Sequence, residues 1–278
     1  MEEAKEMGVF IQPSPFFIND KIEFAGVTMT HEQFYAALQD DAVDVKTSMP
    51  SPGDMTDTWD ELLKPQDEAL FIPISSGLSG TVSTAAMLAE DFDGRVQVVD
   101  NRRVSVTQYR SMVDALELAK MGKNAKEIKE YLERTADRSA IYVSLDTLKY
   151  LKKGGRITPA AAAIGTLLNL KPVLQIQGDK LDAYAKCRGK AQAKKTMIDA
   201  IRKDMEGRFK DAAAKKNLHL LIAYGAYLDD ALEWKKEVEE AFPDYEIEMQ
   251  PLSLSVACHI GPGVLAIALA EGLDTSLL

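Results

Sequence analysis

Three serines and two glycines lie close together in the stretch PISSGLSGT. The apolar run at 69–74 before them is of strand length, and residues 81–89 have the apolar spacing of a helix. At such a strand-to-helix turn, backbone N–H groups and the positive end of the helix dipole favour an anion. The hydroxyls of Ser75, Ser76 and Ser79 add uncharged donors. The stretch therefore predicts a site for a phosphate or a carboxylate.

The same residue types are also typical of an ordinary capped turn, because serine is a good helix N-cap and glycine relieves backbone strain. The stretch is not a Walker loop, since the pattern GxxxxGK[ST] is absent. It is not a nucleophile elbow either, since Gly77-Leu78-Ser79-Gly80 breaks the GxSxG spacing. Taken alone, it leaves a binding turn and a plain capped turn both open.

A second group of hydroxyls precedes another predicted helix. Ser51 is positioned to cap a helix that has Pro52 at its first position, and Thr47 and Ser48 lie in the extended segment just before it. Strands alternate with helices from 69 to 144, which predicts a parallel sheet with right-handed crossovers. Because ligands of such sheets bind at the carboxyl ends of the strands, we expect both hydroxyl-rich turns there.

His259 has a context that favours a site. A lone histidine in an apolar segment is usually a hydrogen-bonded core residue, but here the rigid turn Gly261-Pro262-Gly263 follows it. No partner at metal-ligand spacing accompanies His259, so no metal site is predicted. Elsewhere, Gly154-Gly155 directly before Arg156 predict a backbone that turns sharply or packs closely.

The composition is that of a globular protein without a nucleic-acid partner. The chain has 278 residues, of which 46% are hydrophobic and 27% charged, and its net charge is -10. Nucleic-acid sites need a basic surface, and anionic lipid headgroups also repel a negative chain, so we expect neither nucleic acid nor stable membrane insertion. Two widely separated cysteines, with no secretory h-region and no apolar run of membrane-spanning length, predict a cytoplasmic protein.

The pattern of elements predicts an α/β protein with two domains. Residues 1–164 form an α/β domain that carries both hydroxyl-rich turns, and residues 165–278 form an α+β domain that opens on a hairpin turning at Gly178-Asp179. The Ala-rich segment 159–169 is predicted to be a helix that is buried or lines a cavity. Residues 1–7 have the pattern of the back half of a helix, so we expect a first strand and half-helix of the fold to be missing from this chain.

Taken together and in order, six motifs resemble those of the DegV family. They are TSMPS at 47–51, SSGLSGT at 75–81, LKYLKKGGRI at 148–157, IGTLLNLKP at 164–172, KCRG at 186–189 and HIGPG at 259–263. Each motif is weak alone, but jointly they are specific. The resemblance implies a DegV-like two-domain fold with a parallel-sheet N-terminal domain. It also implies binding of a long-chain fatty acid, as in the binding subunits of bacterial fatty acid kinase.

The resemblance also implies roles for individual residues. The residues implied to contact the ligand are Thr47, Ser76, Ser79, Arg156, Arg188 and His259. Thr47 and Ser79 would hold the acyl carboxylate with His259 nearby, and the two arginines would lie around the head group and the kinase-facing surface. A separate ATP-binding kinase subunit would phosphorylate the acid, so neither a cofactor nor a catalytic residue is expected in this chain.

Two other classes of function stay open. A phosphotransferase or hydrolase could use His259 and Ser79, although no paired acid, elbow or phosphate loop accompanies them. A regulatory or scaffold protein could carry the pocket incidentally. The lipid carrier is favoured because a buried carboxylate needs hydrogen bonds, which Thr47, Ser79 and turn amides can supply, and because the Ala-rich helix offers an apolar wall for an acyl chain.

Overall fold

The structure is a computed structural model that describes residues 2–163, 170–177 and 180–278. Its strands are β1 (Phe16–Ile18), β2 (Lys21–Glu23), β3 (Val45–Thr47), β4 (Ala69–Phe71), β5 (Val96–Val98), β6 (Ser139–Ser144), β7 (Leu170–Ile176), β8 (Asp182–Arg188), β9 (Leu218–Tyr224), β10 (Ile247–Pro251) and β11 (Leu265–Glu271). Its α-helices are α1 (Glu2–Glu6), α2 (His31–Gln39), α3 (Pro52–Leu62), α4 (Thr81–Ala89), α5 (Val106–Lys120), α6 (Ala125–Arg134), α7 (Lys149–Gly154), α8 (Pro159–Ala162), α9 (Lys190–Glu206), α10 (Lys210–Ala214), α11 (Leu228–Ala241) and α12 (Leu254–Ile260).

The largest sheet has its strands in the order β10-β9-β11-β6-β7-β8. β9 and β10 are parallel, whereas every other neighbouring pair is antiparallel. All of β6 is buried, and so is β11 except for its last residue. A strand that is buried on both faces needs cover on each side of the sheet, which explains why β6 and β11 lie at its centre.

Each face of this sheet is covered by a different part of the chain. α9 and α11 cover one face, where Trp234 is fully buried. On the other face, Leu174 of β7 shares one core with Phe16 of β1 and Phe34 of α2. Because this core is shared, the early and late parts of the chain pack directly against each other.

Two smaller sheets come from the first hundred or so residues. β1 lies between β2 and β3 and is antiparallel to both, whereas β4 and β5 form a parallel pair. Trp59 of α3 packs edge-to-face on Phe71 of β4 and on Phe92, which follows α4. This aromatic contact fixes α3 and α4, the two helices that follow the hydroxyl-rich turns.

The prediction that the strand at the end of the 69–144 region continues a parallel sheet is wrong. β6 pairs antiparallel with β11 and β7 rather than with β5. The reason is tertiary, because β6 is buried on both faces and its equally buried partner β11 comes near the end of the chain. In the part of the chain that the structure describes, the parallel pairing of the early strands is limited to β4 and β5.

Several predictions fall on residues outside the described ranges. α8 begins at Pro159 as expected, but residues 164–169 of the predicted Ala-rich helix are outside. So is the turn at Gly178-Asp179, although β7 and β8 are antiparallel as predicted. The domain division at 164/165 and the missing first strand stay predictions; the largest sheet takes β6 from before that division.

None of the helices in the described ranges combines the length and the apolar character that crossing a membrane requires.

Candidate functional site

Thr47 and His259 meet in the structure, although they are 212 residues apart in the sequence. Thr47 Oγ1 and His259 Nε2 are hydrogen-bonded at 2.8 Å. Thr47 ends β3, just before Ser51 caps α3 by accepting the N–H of Asp54. His259 lies in the last turn of α12. Two residues that the sequence analysis predicted to be ligand contacts are thus brought together.

Glycines allow close packing around His259. A Cβ on Gly154 would lie 2.3 Å from Nδ1 of His259, so the imidazole packs directly on the backbone of α7. Gly155 ends α7 in the left-handed conformation, with φ of 68°. A Cβ on Gly261 would lie 2.5 Å from the ring of Tyr150. The sharp turn and close packing predicted at Gly154-Gly155 are confirmed.

Arg156 connects this group to the serine turn. Its Nη1 donates to the carbonyl oxygen of Gly154, and its Nε donates to that of Leu78 at 3.3 Å. Burial, and to a smaller extent the positive charge of Arg156, lowers the pKa of His259 from 6.5 to about 4. His259 is therefore neutral at pH 7, and Arg156 supplies the positive charge beside it.

The protein itself occupies the backbone amides of residues 75–79 in the serine turn. The N–H of Ser75 donates to the carbonyl of Arg103, that of Ser76 to Oδ1 of Asp100, and that of Gly77 to Oγ of Ser75, while those of Leu78 and Ser79 donate to the carbonyl of Ser75. The expectation that the turn amides face an anion is therefore wrong for these five amides. The hydroxyl of Ser79 remains as a donor; this residue is half-buried, and its Oγ lies 2.8 Å from Oγ1 of Thr81.

Two of the predicted ligand contacts are exposed, and one of them, Arg188, lies apart from this group. Ser76 is exposed, and so is Arg188 at the end of β8. Ile157, which follows Arg156, forms an isolated β-bridge with Leu181, the residue just before β8 begins. Arg188 is at the other end of this strand. Roughly 23 Å of strand separates Leu181 from Arg188 at about 3.3 Å per residue. The two arginines therefore emerge near opposite ends of β8 and do not contact each other.

Partly exposed apolar side chains lie on the same face of the sheet and pack against the shared core. They are Ile74, Leu78, Ile157, Ile176 and Ala183. They come from the serine turn, from the segment after α7 and from the β7–β8 ribbon. An apolar surface next to hydroxyls and one arginine suits a ligand that has a charged head and an apolar tail.

Sequence reasoning missed two features of this site. The first is α12, although Ser253 as the cap, apolar residues at helical spacing and Gly261 as the terminator are signals for a short helix. The second is Thr81, which lies two residues after Ser79 at the start of α4. Short-range pairs of hydroxyls at a helix start are a known local pattern, so this contact had a detectable signal.

The depressed pKa of His259 predicts a pH-dependent stability. The folded protein favours the neutral imidazole. The contribution of His259 to the free energy of unfolding is therefore complete above pH 6.5 and is lost as the pH falls toward 4. We expect this residue to remove up to about 3 kcal/mol from the free energy of unfolding across that window. Urea unfolding at a series of pH values should show a steeper acid loss for the wild type than for His259→Gln, which cannot titrate. Equal slopes in the two proteins would contradict the prediction.

Comparison with known proteins identifies the chain's relatives. The family model described as "Uncharacterised protein, DegV family" matches residues 1–272. A DegV domain-containing protein of Deinococcus radiodurans is 29% identical over 268 residues, which cover 96% of this chain and 93% of the relative. Another, from Clostridium acetobutylicum, is 30% identical over 256 residues, which cover 90% and 86%.

Solved structures show the same fold. The structure described as "Fatty Acid Binding of a DegV family Protein from Thermus thermophilus" matches with a TM-score of 0.86 at 30% identity, covering 97% of this chain and 94% of that one. DegV of Bacillus subtilis, described as a fatty acid binding protein, matches with a TM-score of 0.83 over 97% and 94% of the two chains; at 24% identity it supports the fold alone. The mixed α/β fold and the resemblance read from the motifs are confirmed, and the chain belongs to the DegV family.

Proposed function

We propose that this protein binds a long-chain fatty acid, with the carboxylate between the hydroxyls of Thr47 and Ser79. The observation that carries the proposal is the Thr47–His259 hydrogen bond, which lies beside Arg156 and, through it, next to the serine turn. The binding of fatty acid by the Thermus thermophilus relative, at 30% identity, supports the same ligand class.

The chemistry of the head group follows from the neutral state of His259. With its proton on Nε2, the imidazole donates to Thr47 Oγ1, and the threonine hydroxyl is then free to donate to a carboxylate oxygen. Arg156 contributes an opposite charge that strengthens such a bond. A carboxylate can be buried only when its oxygens are hydrogen-bonded, and Thr47 and Ser79 each supply one donor.

The acyl chain supplies most of the binding energy. The apolar side chains of Leu78, Ile157 and Ile176 lie on the face of the sheet that carries the head-group residues. Burial of a sixteen-carbon tail contributes on the order of 10 kcal/mol before entropy costs, at about 0.8 kcal/mol per methylene. Chain burial therefore sets the affinity, and the hydroxyls set the orientation of the acid.

We further propose that the bound acid is presented, in the cytoplasm, to a separate ATP-dependent kinase that converts its carboxylate to an acyl-phosphate. The chain contains no GxxxxGK[ST] loop with which to bind ATP itself. The exposed Arg188 is available to contact a partner, since it forms no ion pair within the described residues. On this proposal the protein is a carrier and not an enzyme.

Mass spectrometry of protein purified without detergent tests the proposal. We expect each molecule to carry a long-chain fatty acid, and we expect delipidated protein to bind palmitate by calorimetry. Purification free of lipid, combined with no palmitate binding, would refute the carrier function. Hydrolysis of acyl esters or of ATP by the chain alone would instead favour an enzyme that uses Ser79 and His259.

A further inference from the structure

We propose that Thr81 is a positioning residue that turns the hydroxyl of Ser79 toward the ligand. This inference rests on the proposed fatty-acid function and deepens it, because it assigns a role to a residue that does not contact the head group in that proposal. Thr81 is the first residue of α4 and is 6% exposed, so neighbouring residues pack around its side chain.

Two groups of Thr81 approach the same oxygen atom. Its backbone N–H donates to Oγ of Ser79 at 3.3 Å, and its Oγ1 lies 2.8 Å from that Oγ. A serine hydroxyl has one proton and two lone pairs. When the amide and the hydroxyl of Thr81 both donate, the two lone pairs of Ser79 are used, and its proton has to point away from Thr81.

A bound carboxylate requires the hydroxyl proton of Ser79 to point away from Thr81. Carboxylate oxygens only accept, so Ser79 has to be the donor to them, and a charge-assisted bond of this kind is stronger than a bond between two neutral hydroxyls. Ser79 then cannot also donate to Thr81, which leaves Thr81 as the donor behind it. A chain of hydrogen bonds running from Thr81 through Ser79 to the ligand also polarises each member in the same sense.

The same arrangement recurs at the other predicted head-group contact. There His259 Nε2 lies 2.8 Å from Thr47 Oγ1 and can donate to it, which frees the Thr47 hydroxyl to donate outward. Each of the two hydroxyls that contact the carboxylate thus has one residue behind it that can fix its donor direction. Thr81 has at Ser79 the role that His259 has at Thr47.

Two substitutions separate the hydroxyl of Thr81 from its bulk. Thr81→Val keeps the branched shape and removes the hydroxyl, whereas Thr81→Ser keeps the hydroxyl and removes the buried methyl group. We expect Thr81→Val to weaken palmitate binding by about threefold to tenfold, the loss typical of one hydrogen bond. We expect Thr81→Ser to bind palmitate like the wild type and to lose only thermal stability.

A double-mutant cycle with Ser79→Ala tests whether Thr81 acts through Ser79. Because Thr81 has no hydroxyl to orient once Ser79 is gone, Thr81→Val should have no further effect on palmitate affinity in the Ser79→Ala background. Calorimetry on the four proteins, with thermal unfolding to verify that each is folded, gives the result. If Thr81→Val does not fold, Thr81→Ala takes its place in the cycle.

The outcomes distinguish this inference from the proposed function. Sensitivity of palmitate binding to Ser79→Ala, together with wild-type affinity in Thr81→Val, would overturn the role of Thr81 and leave the carrier proposal intact. Equal losses from Thr81→Val in both backgrounds would also overturn it, because the effect would then be independent of Ser79. Absence of palmitate binding by the wild type would overturn both.

Discussion

Replacing Gly154 with alanine is expected to displace the imidazole of His259 and to lower fatty-acid affinity about tenfold to a hundredfold. The new Cβ would lie 2.3 Å from Nδ1, far inside van der Waals contact, so the ring has to move. Its movement breaks the 2.8 Å bond to Thr47, on which the direction of the threonine hydroxyl depends. Overpacking of this kind also costs about 1–3 kcal/mol of stability. Palmitate calorimetry and urea unfolding measure the two effects separately.

Gly155→Ala is the matched control for this prediction. Gly155 adopts a left-handed φ of 68°, but a Cβ there would meet nothing within 4 Å. Alanine at this position therefore costs about 1 kcal/mol of stability for backbone strain and leaves the His259 ring in place. Wild-type affinity in Gly154→Ala, or an equal loss of affinity in Gly155→Ala, would contradict the role assigned to the close contact.

Thr47→Ala and Ser79→Ala are each expected to weaken palmitate binding by about 1–3 kcal/mol. Either change removes one donor and leaves one carboxylate oxygen unpaired in a partly buried site. Thr47→Ala also leaves Nε2 of His259 without its hydrogen-bond partner. Isothermal titration with palmitate measures both losses. The two substitutions should weaken the binding of a fatty alcohol of the same length by less, because the alcohol carries no charge.

Ser83→Ala provides the control for these two substitutions. Ser83 is exposed on the first turn of α4, and its hydroxyl donates to the carbonyl of Gly80 at 2.9 Å. It is the same chemical change as Ser79→Ala, four residues further along the chain, but at a hydroxyl that is used locally. We expect palmitate affinity to be unchanged in Ser83→Ala. Unchanged affinity in both Thr47→Ala and Ser79→Ala would remove the head-group assignment.

Local patterns predict much of the secondary structure, because caps and turns are short-range features. The Ser51-Pro52 start of α3 is observed with its cap hydrogen bond, and Gly154-Gly155 end α7 as the glycine pair indicates. The place of β6 could not be predicted in the same way. The position of β6 depends on its pairing with β11. That pairing is favoured because both strands are buried on both faces of a sheet that assembles from distant segments.

The residues of the candidate site were easier to predict than its geometry. Thr47, Ser79 and His259 come from motifs, but the contact between Thr47 and His259 depends on how the early and late parts of the chain pack. The predicted anion-binding role was wrong for the amides of residues 75–79. The acceptors of Ser75 and Ser76, the carbonyl of Arg103 and the carboxylate of Asp100, come from a loop after another strand, and the other three amides donate to Ser75 itself. A local sequence pattern identifies a hydrogen-bond donor but does not show which acceptor pairs with it in the folded protein.

The long sequence separation of Thr47 and His259 has a consequence for folding and turnover. Contacts between distant residues close large loops, so their entropy cost has to be met before they contribute. Under the proposed function, a half-folded chain therefore lacks the contact between Thr47 and His259 on which the head-group site depends, and we expect it not to bind the acid. A ligand that binds only the complete form stabilises it by mass action. Under the proposed function, the abundance of intact protein in the cell rises and falls with the supply of lipid, because chaperones and proteases act on what is left unliganded.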